Sequence, residues 1–266
     1  MTVSKDVKRI VVKVGTSTLT YPNGKTNIRR MDKLVKVLAD LRNSGLEIVL
    51  VTSGAIGVGV GKLNLVQKPT DIPGRQAASS VGQCELMFMY DKLFSEYGHN
   101  IGQLLITRND VDINDRRQNL ENSFEKLFEF GCIPIVNEND AVAVEEIEFG
   151  DNDSLSAIVA KVVNADVLII LSDIDGLYDS NPHEDENARL IPVVKEIDDR
   201  IMSLAGGSST KFGTGGMVTK LNAAKITGDA GIDTVIMNGE NPENIYRLLD
   251  GHQVGTFFCG KDKNNA

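Results

Sequence analysis

The sequence is poor in the residues that build metal sites and disulfide frameworks. Its 266 residues include only 3 cysteines and 3 histidines. Cys84, Cys132 and Cys259 lie far apart and lack CxxC spacing, which is typical of reduced thiols in a cytosolic protein and argues against a zinc framework. The histidines are equally scattered, so the sequence contains no HExxH-type metal site.

Long apolar runs are missing as well. A membrane-spanning helix needs about 18 consecutive apolar residues, and no stretch of the sequence approaches that length. The N-terminal residues contain no apolar segment of the kind found in secretory signal peptides. We therefore expect a cytoplasmic protein without a membrane segment. Proline is scarce and no repeat is visible, which excludes collagen-like, solenoid and low-complexity architectures.

Basic residues are too few to balance the acidic ones. The 28 lysines and arginines and the 37 aspartates and glutamates give a net charge of −9. Duplex DNA and anionic membranes require a basic protein surface, so we expect no nucleic acid and no membrane as a partner. A local basic pocket for phosphates remains compatible with this charge.

Apolar runs alternate with helical patterns along the chain. The runs that predict buried strands are Arg9–Val14, Glu47–Val51, Ile101–Thr107, Cys132–Val136, Asp166–Leu171, Asp233–Met237 and Val254–Phe258. Capping residues and helical spacing predict helices over residues 28–41, 76–97, 112–130, 151–163, 198–204, 217–230 and 242–249. Residues 53–61 predict a glycine-rich turn, and Val142–Ile147 predicts a hairpin arm.

This alternation predicts the fold class α/β. Continuous apolar strands separated by amphipathic helices favour a three-layer α/β/α sandwich with a mostly parallel central sheet. No composition shift marks a domain boundary, so we expect one domain over residues 1–260 and a polar tail over residues 261–266. Open sheets of this kind bind ligands at the carboxyl ends of their strands, where the candidate functional residues are therefore expected.

Small polar residues are concentrated at those strand ends and before two helices. The segments are Lys13–Thr18, Thr52–Gly57, Asn137–Asp140, Gly150–Ser154, Ser172–Gly176 and Gly213–Lys220. Neither standard nucleotide fingerprint is present: Gly57–Lys62 approaches the P-loop pattern, but Leu63 replaces the Ser or Thr that reaches magnesium. We therefore expect neither a P-loop nor a Rossmann enzyme.

Two lysines adjoin glycine-rich turns. Lys13 is either a strand-edge lysine whose stem reaches water or a cation directed at a phosphate, because the following Gly15 lets backbone N–H groups approach an anion. Lys220 follows the loop Gly213–Gly216, and its charge adds to the field of a helix N-terminus at a bound phosphate. The alternative for that loop is a flexible connector.

Three polar segments have both a structural and a functional interpretation. Thr52–Ala55 is either a simple strand-to-helix turn or a helix N-terminus that binds a phosphate or carboxylate. Asn137–Asp140 and Asp151–Asp153 are either two solvated turns or a pair of groups that hold a substrate ammonium. A further carboxylate in these segments would then orient a catalytic lysine.

Six segments, taken in order, resemble the motifs of the amino-acid kinase family. They are Val12–Thr16 (VKVGT), Val51–Gly57 (VTSGAIG), Ile135–Val142 (IVNENDAV), Gly150–Leu155 (GDNDSL), Ser172–Tyr178 (SDIDGLY) and Gly213–Lys220 (GTGGMVTK). The resemblance extends from Lys8 to Phe258, and six motifs in one order are far more specific than one. The TSGA and NENDAV segments are similar to the branch that acts on glutamate rather than to the aspartate, acetylglutamate, carbamate and uridylate kinases.

The resemblance implies a reaction, cofactors and partners. The reaction is ATP-dependent phosphorylation of the side-chain carboxylate of L-glutamate to L-glutamyl 5-phosphate, the first step of proline biosynthesis. Mg²⁺ would be held mainly through the ATP phosphates, and the resemblance implies no particular protein ligand for it. The resemblance also implies a homo-oligomer (dimer or tetramer), feedback inhibition by L-proline and a glutamyl-phosphate reductase as a partner. Many members carry a C-terminal RNA-binding-like PUA domain, and we expect a short form that lacks it.

The family motifs also imply roles for individual residues. The catalytic residues would be Lys13, Lys220 and Asp153, with the lysines on the ATP phosphates and the aspartate orienting them. The glutamate-binding residues would be Ser53, Asp140, Asn152 and Asp151. The ATP-binding residues would be Lys13, Gly15, Ser172, Asp173, Thr214, Gly215, Gly216, Met217, Val218, Thr219 and Lys220. Two alternatives stay open: a sister kinase that uses another small acid, and a non-catalytic nucleotide-sensing module.

Overall fold

The structure is a computed structural model that describes residues 6–21, 25–142, 152–182, 184–205 and 216–261. Its strands are β1 (Arg9–Val14), β2 (Glu47–Val51), β3 (Ile101–Ile106), β4 (Ile133–Glu138), β5 (Val167–Ser172), β6 (Val193–Val194), β7 (Asp233–Asn238) and β8 (Thr256–Phe258). Its helices are α1 (Thr16–Leu19), α2 (Ile28–Asn43), α3 (Ala55–Lys62), α4 (Ile72–Ser95), α5 (Arg108–Asp112), α6 (Asn114–Glu129), α7 (Asn152–Val162), α8 (Asp199–Leu204), α9 (Met217–Asp229) and α10 (Asn244–Leu249).

The strands form one eight-stranded sheet in the order β3-β4-β2-β1-β5-β7-β8-β6. Neighbouring strands from β3 to β7 are parallel, β8 runs antiparallel to β7, and β6 is parallel to β8. The central strand β1 lies between β2 and β5, with Lys13 opposite Val51 on one side and Ile170 on the other. Six strands therefore direct their carboxyl ends to the same edge of the sheet.

Each face of the sheet packs against its own set of helices. Val12 of β1 packs on the face covered by α2, α3, α4 and α10, and the neighbouring Val11 packs on the face covered by α6, α7 and α9. This alternation buries both sides of the strand, as expected for a parallel sheet between two helical layers. The predicted three-layer α/β/α sandwich is confirmed.

One prediction was wrong in a way that affects the site: residues 53–61 are not an extended turn. Only Ser53 and Gly54 form the turn, and Gly54 has the left-handed φ of +94° that a glycine adopts without strain. The helix α3 then begins at Ala55 despite its glycines. Its close packing on α4 requires them, because a Cβ atom on Gly59 would lie 1.8 Å from the Ala78 carbonyl oxygen.

Other differences concern boundaries. The helix predicted over 112–130 corresponds to α6, which begins at Asn114, and the short helix α5 before it, Arg108–Asp112, was not predicted. The strand β4 continues beyond the predicted Val136 to Glu138, which places Asn137 inside the sheet. The short strand β6 was not predicted, and the hairpin arm predicted over Val142–Ile147 lies, apart from its first residue, outside the described residues. Within the described ranges, no helix combines the length and apolar character that crossing a bilayer demands.

Candidate active site

Two lysines and one aspartate form a buried ionic cluster at the carboxyl edge of the sheet. Nζ of Lys13, near the end of β1, lies 2.7 Å from Oδ1 of Asp153 in the first turn of α7. Nζ of Lys220, in the first turn of α9, lies 3.1 Å from Oδ2 of the same carboxylate. The exposed fractions of Lys13, Asp153 and Lys220 are 7%, 0% and 6%. Two cations and one anion leave a net positive charge, which suits an anionic ligand.

The carboxylate of Asp153 stays ionised in this cluster. Burial by itself would raise its pKa, but the charges of Lys13 and Lys220 and its hydrogen bonds lower the pKa to about 2. The Thr219 hydroxyl donates one of these bonds over 2.8 Å. Both carboxylate oxygens are thus engaged by cations, so Asp153 orients the two ammonium groups.

The turns after β1 and β2 are joined by hydroxyl groups. The Ser53 hydroxyl donates to the Val14 carbonyl oxygen over 3.0 Å, and the Thr16 hydroxyl donates to Ser53 over 3.3 Å. Gly15 lies directly beside the Lys13 ammonium group, because a Cβ atom on Gly15 would be in ordinary van der Waals contact with the lysine Nζ at 3.7 Å. The backbone of both turns is therefore held next to the ionic cluster.

A polar network follows β2 and β4. Nδ2 of Asn152 donates to the Thr52 carbonyl oxygen over 2.6 Å and to Oδ1 of Asn137 over 2.8 Å. Close by, the Ser79 hydroxyl of α4 donates to Oδ2 of Asp140 over 2.7 Å. Burial raises the pKa of Asp140, although Ser79 and the positive charges of nearby Arg75 and Lys68 oppose this effect.

The predicted nucleotide residues lie on the other side of β1. Ser172 ends β5, pairs with Asn238 of β7 and donates to Oδ1 of the adjacent Asp173 over 3.2 Å. Since the strand order is β4-β2-β1-β5-β7, the predicted glutamate residues follow β2 and β4 while Ser172 and Asp173 follow β5. Lys13 on β1 lies between the two groups.

The structure describes most of the predicted site residues. At the start of α9, Gly216 precedes the helix, Met217 is buried, Val218 is exposed and Thr219 contacts Asp153. Asp151, Thr214 and Gly215 lie outside the described residues. The binding and catalytic roles of all these residues stay predictions.

Sequence reasoning missed the contribution of α4. The sequence predicted a helix over residues 76–97 but no site residue in it, yet Ser79 and Gln83 are buried and bonded to residues of the polar network. A signal was available, because two polar residues spaced by four positions share one helix face.

Comparisons with known proteins identify the family of the chain. The model of the amino acid kinase family matches residues 8–238. A glutamate 5-kinase of Clostridium perfringens is 54% identical over 97% of both chains, and one of Listeria monocytogenes serovar 1/2a is 54% identical over 97% of this chain and 95% of its own.

Solved structures with low sequence identity share the fold. Carbamate kinase from Giardia lamblia bound to AMP-PNP has a TM-score of 0.67 at 16% identity and covers 97% of this chain and 100% of its own. UMP kinase from Bacillus anthracis has a TM-score of 0.65 at 14% identity and covers 96% of this chain and 97% of its own. The chain therefore belongs to the amino acid kinase family, in the group that includes the glutamate 5-kinases it resembles.

Proposed function

We propose that the protein transfers the γ-phosphoryl group of ATP to the side-chain carboxylate of L-glutamate, giving L-glutamyl 5-phosphate, the first step of proline biosynthesis. Relatives named glutamate 5-kinases match nearly the whole chain at 54% identity. The observation that carries the proposal is the buried cluster of Lys13, Asp153 and Lys220 between the two groups of predicted binding residues. A net positive charge at that point is what a phosphoryl transfer between two anions requires.

The acceptor needs no general base. A glutamate side chain has an unperturbed pKa of about 4.3, so its carboxylate is already a nucleophile at neutral pH. The obstacle is the repulsion between this anion and the anionic phosphates. Phosphoryl transfer is catalysed mainly by positioning and by electrostatic stabilisation of the transferring group. Lys13 and Lys220 supply the charge, and Asp153 fixes both ammonium groups in place.

The polar network after β2 and β4 fits the amino-acid part of the acceptor. The Asp140 carboxylate, oriented by Ser79, attracts an ammonium group. Asn152 is held by its hydrogen bonds to Thr52 and Asn137, and Ser53 lies on the side toward β1. These groups would hold L-glutamate with its side-chain carboxylate toward the lysines, and Asp151 would add a further contact to the ammonium.

ATP would bind on the side of β5 and α9, with its phosphates toward Lys13 and Lys220. The positive charge of the cluster fits this assignment, because the two buried lysines share the Asp153 carboxylate. Mg²⁺, which binds phosphate oxygens and keeps several waters, would be carried by ATP and neutralise part of the phosphate charge. Asp153 is not free to act as its ligand, since both of its oxygens face lysines.

The family resemblance supports several further features. We propose that the protein acts in the cytoplasm as a homo-oligomer and that L-proline inhibits it. A glutamyl-phosphate reductase is the partner that the family resemblance implies, and such a contact would shelter an acyl phosphate, which is labile in water. A single kinase domain over residues 1–260 is part of the same proposal.

The experiment is to measure ADP release from MgATP in the presence of L-glutamate, L-aspartate or N-acetyl-L-glutamate, together with ATP binding by calorimetry. ADP release that depends on L-glutamate alone supports the proposal. Release with another acid assigns the chain to a sister kinase. ATP binding without turnover on any acid assigns it to the nucleotide-sensing alternative.

A further inference from the structure

The helix α4 presents three polar side chains to the glutamate side of the proposed site. The Ser79 hydroxyl donates to Asp140 over 2.7 Å, Oε1 of Gln83 accepts from Nδ2 of Asn137 over 2.9 Å, and the Tyr90 hydroxyl lies 2.9 Å from that of Thr52. The three side chains are buried on one face of the helix. In this way α4 supports residues at the ends of β2 and β4.

Backbone groups fix which atom of each side-chain amide in the network is the oxygen and which is the nitrogen. A backbone carbonyl oxygen can only accept a hydrogen bond, and a backbone N–H can only donate one. The Thr52 carbonyl oxygen can only accept, so the atom of Asn152 that faces it is the NH₂ nitrogen. The Glu138 backbone N–H can only donate, and it bonds Oδ1 of Asn137 over 2.9 Å. The NH₂ group of Asn137 must therefore point the other way, toward Gln83.

These hydrogen bonds determine which polar atom of the Asn152 side chain can bind a ligand. Both hydrogens of its NH₂ group are used, one for Thr52 and one for Asn137. Its side-chain oxygen can only accept, and among the described residues no hydrogen bond uses it. That oxygen suits an ammonium group and repels a carboxylate, so the network favours the amino group of an amino acid at this place.

Gln83 is the last residue in this series of hydrogen bonds, and its own side-chain amide has an unsatisfied donor. Its Nε2 is buried and has no hydrogen-bond partner among the described residues. A buried donor without an acceptor destabilises a fold, and an apolar side chain would avoid that cost. The oxygen of the same amide gives the buried NH₂ group of Asn137 its acceptor.

We propose that Gln83 is a positioning residue for recognition of the substrate's α-ammonium group. It holds the amide of Asn137, and through it the amide of Asn152, in the direction that leaves the Asn152 oxygen to accept from the substrate. The inference rests on the proposed function, which assigns Asn152 to L-glutamate. Without the Gln83 oxygen, the buried NH₂ group of Asn137 loses its acceptor, so the Asn137 side chain is held less firmly and its hydrogen bond with Asn152 weakens.

The test compares three substitutions of Gln83. Gln83→Met and Gln83→Leu remove the acceptor with different shapes, whereas Gln83→Glu is the matched control that keeps an oxygen at the same place. We expect both apolar variants to raise the KM for L-glutamate about tenfold, the usual effect of one hydrogen bond near a charged group. The KM for ATP should stay within about twofold, and Gln83→Glu should restore most of the affinity for L-glutamate.

Two readouts separate positioning from a general loss of structure. Glutarate lacks the α-ammonium group, so its inhibition constant against L-glutamate should be unchanged in the Met and Leu variants. In a double-mutant cycle, Gln83→Met should add little to Asn152→Ala, because the two residues act through one contact. Equal losses for glutarate, ATP and L-glutamate, additive effects in the cycle, or an unchanged KM would each overturn the inference.

The same data distinguish failure of the inference from failure of the proposed function. If the unsubstituted protein does not phosphorylate L-glutamate, the proposed function is wrong. If it does, and Asn152→Ala raises the KM for L-glutamate while Gln83→Met does not, only the role of Gln83 is wrong. Circular dichroism of each variant verifies that the fold is intact, and should Gln83→Met not fold, Gln83→Leu provides the same comparison.

Discussion

Nζ of Lys13 lies 2.7 Å from Oδ1 of Asp153, and both side chains are shielded from solvent. The two residues come from β1 and α7, which are far apart in the sequence. Their contact brings a cation to the middle of the sheet, between the side predicted to bind glutamate and the side predicted to bind ATP. The proposed roles of the site residues depend on this contact and on the contact between Lys220 and Asp153.

The first prediction concerns Lys220. Lys220→Ala should lower kcat about 100- to 1,000-fold, because the charge on the transferring phosphoryl group loses a buried stabilising donor. The KM for L-glutamate should change far less, since the proposal places Lys220 on the ATP phosphates and assigns the amino-acid part of the substrate to Asp140 and Asn152. Lys225→Ala, an exposed lysine of the same helix, is the matched control and should be close to wild type. Equal turnover in Lys220→Ala and wild type would refute this role.

The second prediction concerns Asp140. Asp140→Ala should mainly raise the KM for L-glutamate, because the carboxylate attracts the substrate ammonium. Asp229→Ala, an exposed aspartate at the far end of α9 from Lys220, serves as the control. Steady-state kinetics at a fixed ATP concentration measure the KM for L-glutamate in each variant. A KM equal to that of wild type in Asp140→Ala would show that Asp140 does not bind the substrate.

We also expect the KM for L-glutamate to depend on pH through Asp140. Burial raises the pKa of Asp140, so its carboxylate takes up a proton at a higher pH than an exposed aspartate would. The KM for L-glutamate should therefore rise as the pH is lowered below neutrality, before exposed carboxylates titrate. In Asp140→Ala this rise should be absent. A pH profile of KM that is identical in both proteins would contradict the assignment.

The third prediction concerns acid stability. The pKa of Asp153 is lowered to about 2, below the value of 3.8 for an unperturbed aspartate. The folded state therefore binds this proton less readily than the unfolded state. The stabilisation is complete above pH 3.8 and is lost as the pH falls toward about 2, for a total of about 2 kcal/mol.

Urea unfolding at several acidic pH values measures this effect. Asp153→Asn should lack that part of the pH dependence and should be less stable near neutral pH, because two buried lysines lose their shared counter-ion. Thr219→Val, which removes one hydrogen bond to the same carboxylate but no charge, is the milder control. Parallel pH profiles for Asp153→Asn and wild type would show that the aspartate carries no such linkage.

The fourth prediction concerns the crossing of α3 and α4. A Cβ atom on Gly82 would lie 1.8 Å from the Ala55 carbonyl oxygen, so Gly82→Ala forces the helices apart. We expect a loss of about 3 kcal/mol in the free energy of unfolding and a raised KM for L-glutamate, because α4 carries Ser79 and Gln83. Gly228→Ala is the control, since its Cβ would meet its nearest atom at 3.7 Å. Equal stability of the two variants would contradict the close crossing.

Much of the sheet was predictable from the sequence because its strands are short, continuous and apolar. Arg9–Val14 and Glu47–Val51 are strands with the predicted bounds. The start of α3 was predicted by the interpretation of Thr52–Ala55 as a strand-to-helix turn or a helix N-terminus. Its continuation to Lys62 was not, since its glycines disfavour a helix and the packing on α4, distant in sequence, explains them. Local propensity contains no information about such a crossing.

The site was predictable to the extent that its residues follow strands. Lys13, Ser53 and Ser172 lie at the carboxyl edge because parallel strands direct their ends there. Gln83 was missed because it lies within a helical, partly apolar stretch and its partner Asn137 is 54 positions away. The four-residue spacing of Ser79 and Gln83 indicates a shared helix face, but no pattern in the sequence identifies Asn137 as the hydrogen-bond partner of Gln83.

The most direct test of the central claim is to trap the product. Hydroxylamine converts acyl phosphates to hydroxamates, so the protein is incubated with MgATP, hydroxylamine and L-glutamate, with L-aspartate and N-acetyl-L-glutamate in parallel. We expect a hydroxamate from L-glutamate alone, and we expect Lys220→Ala to lose hydroxamate formation. A hydroxamate from a different acid, or none from folded protein that binds ATP, would contradict phosphorylation of the glutamate side-chain carboxylate at this site.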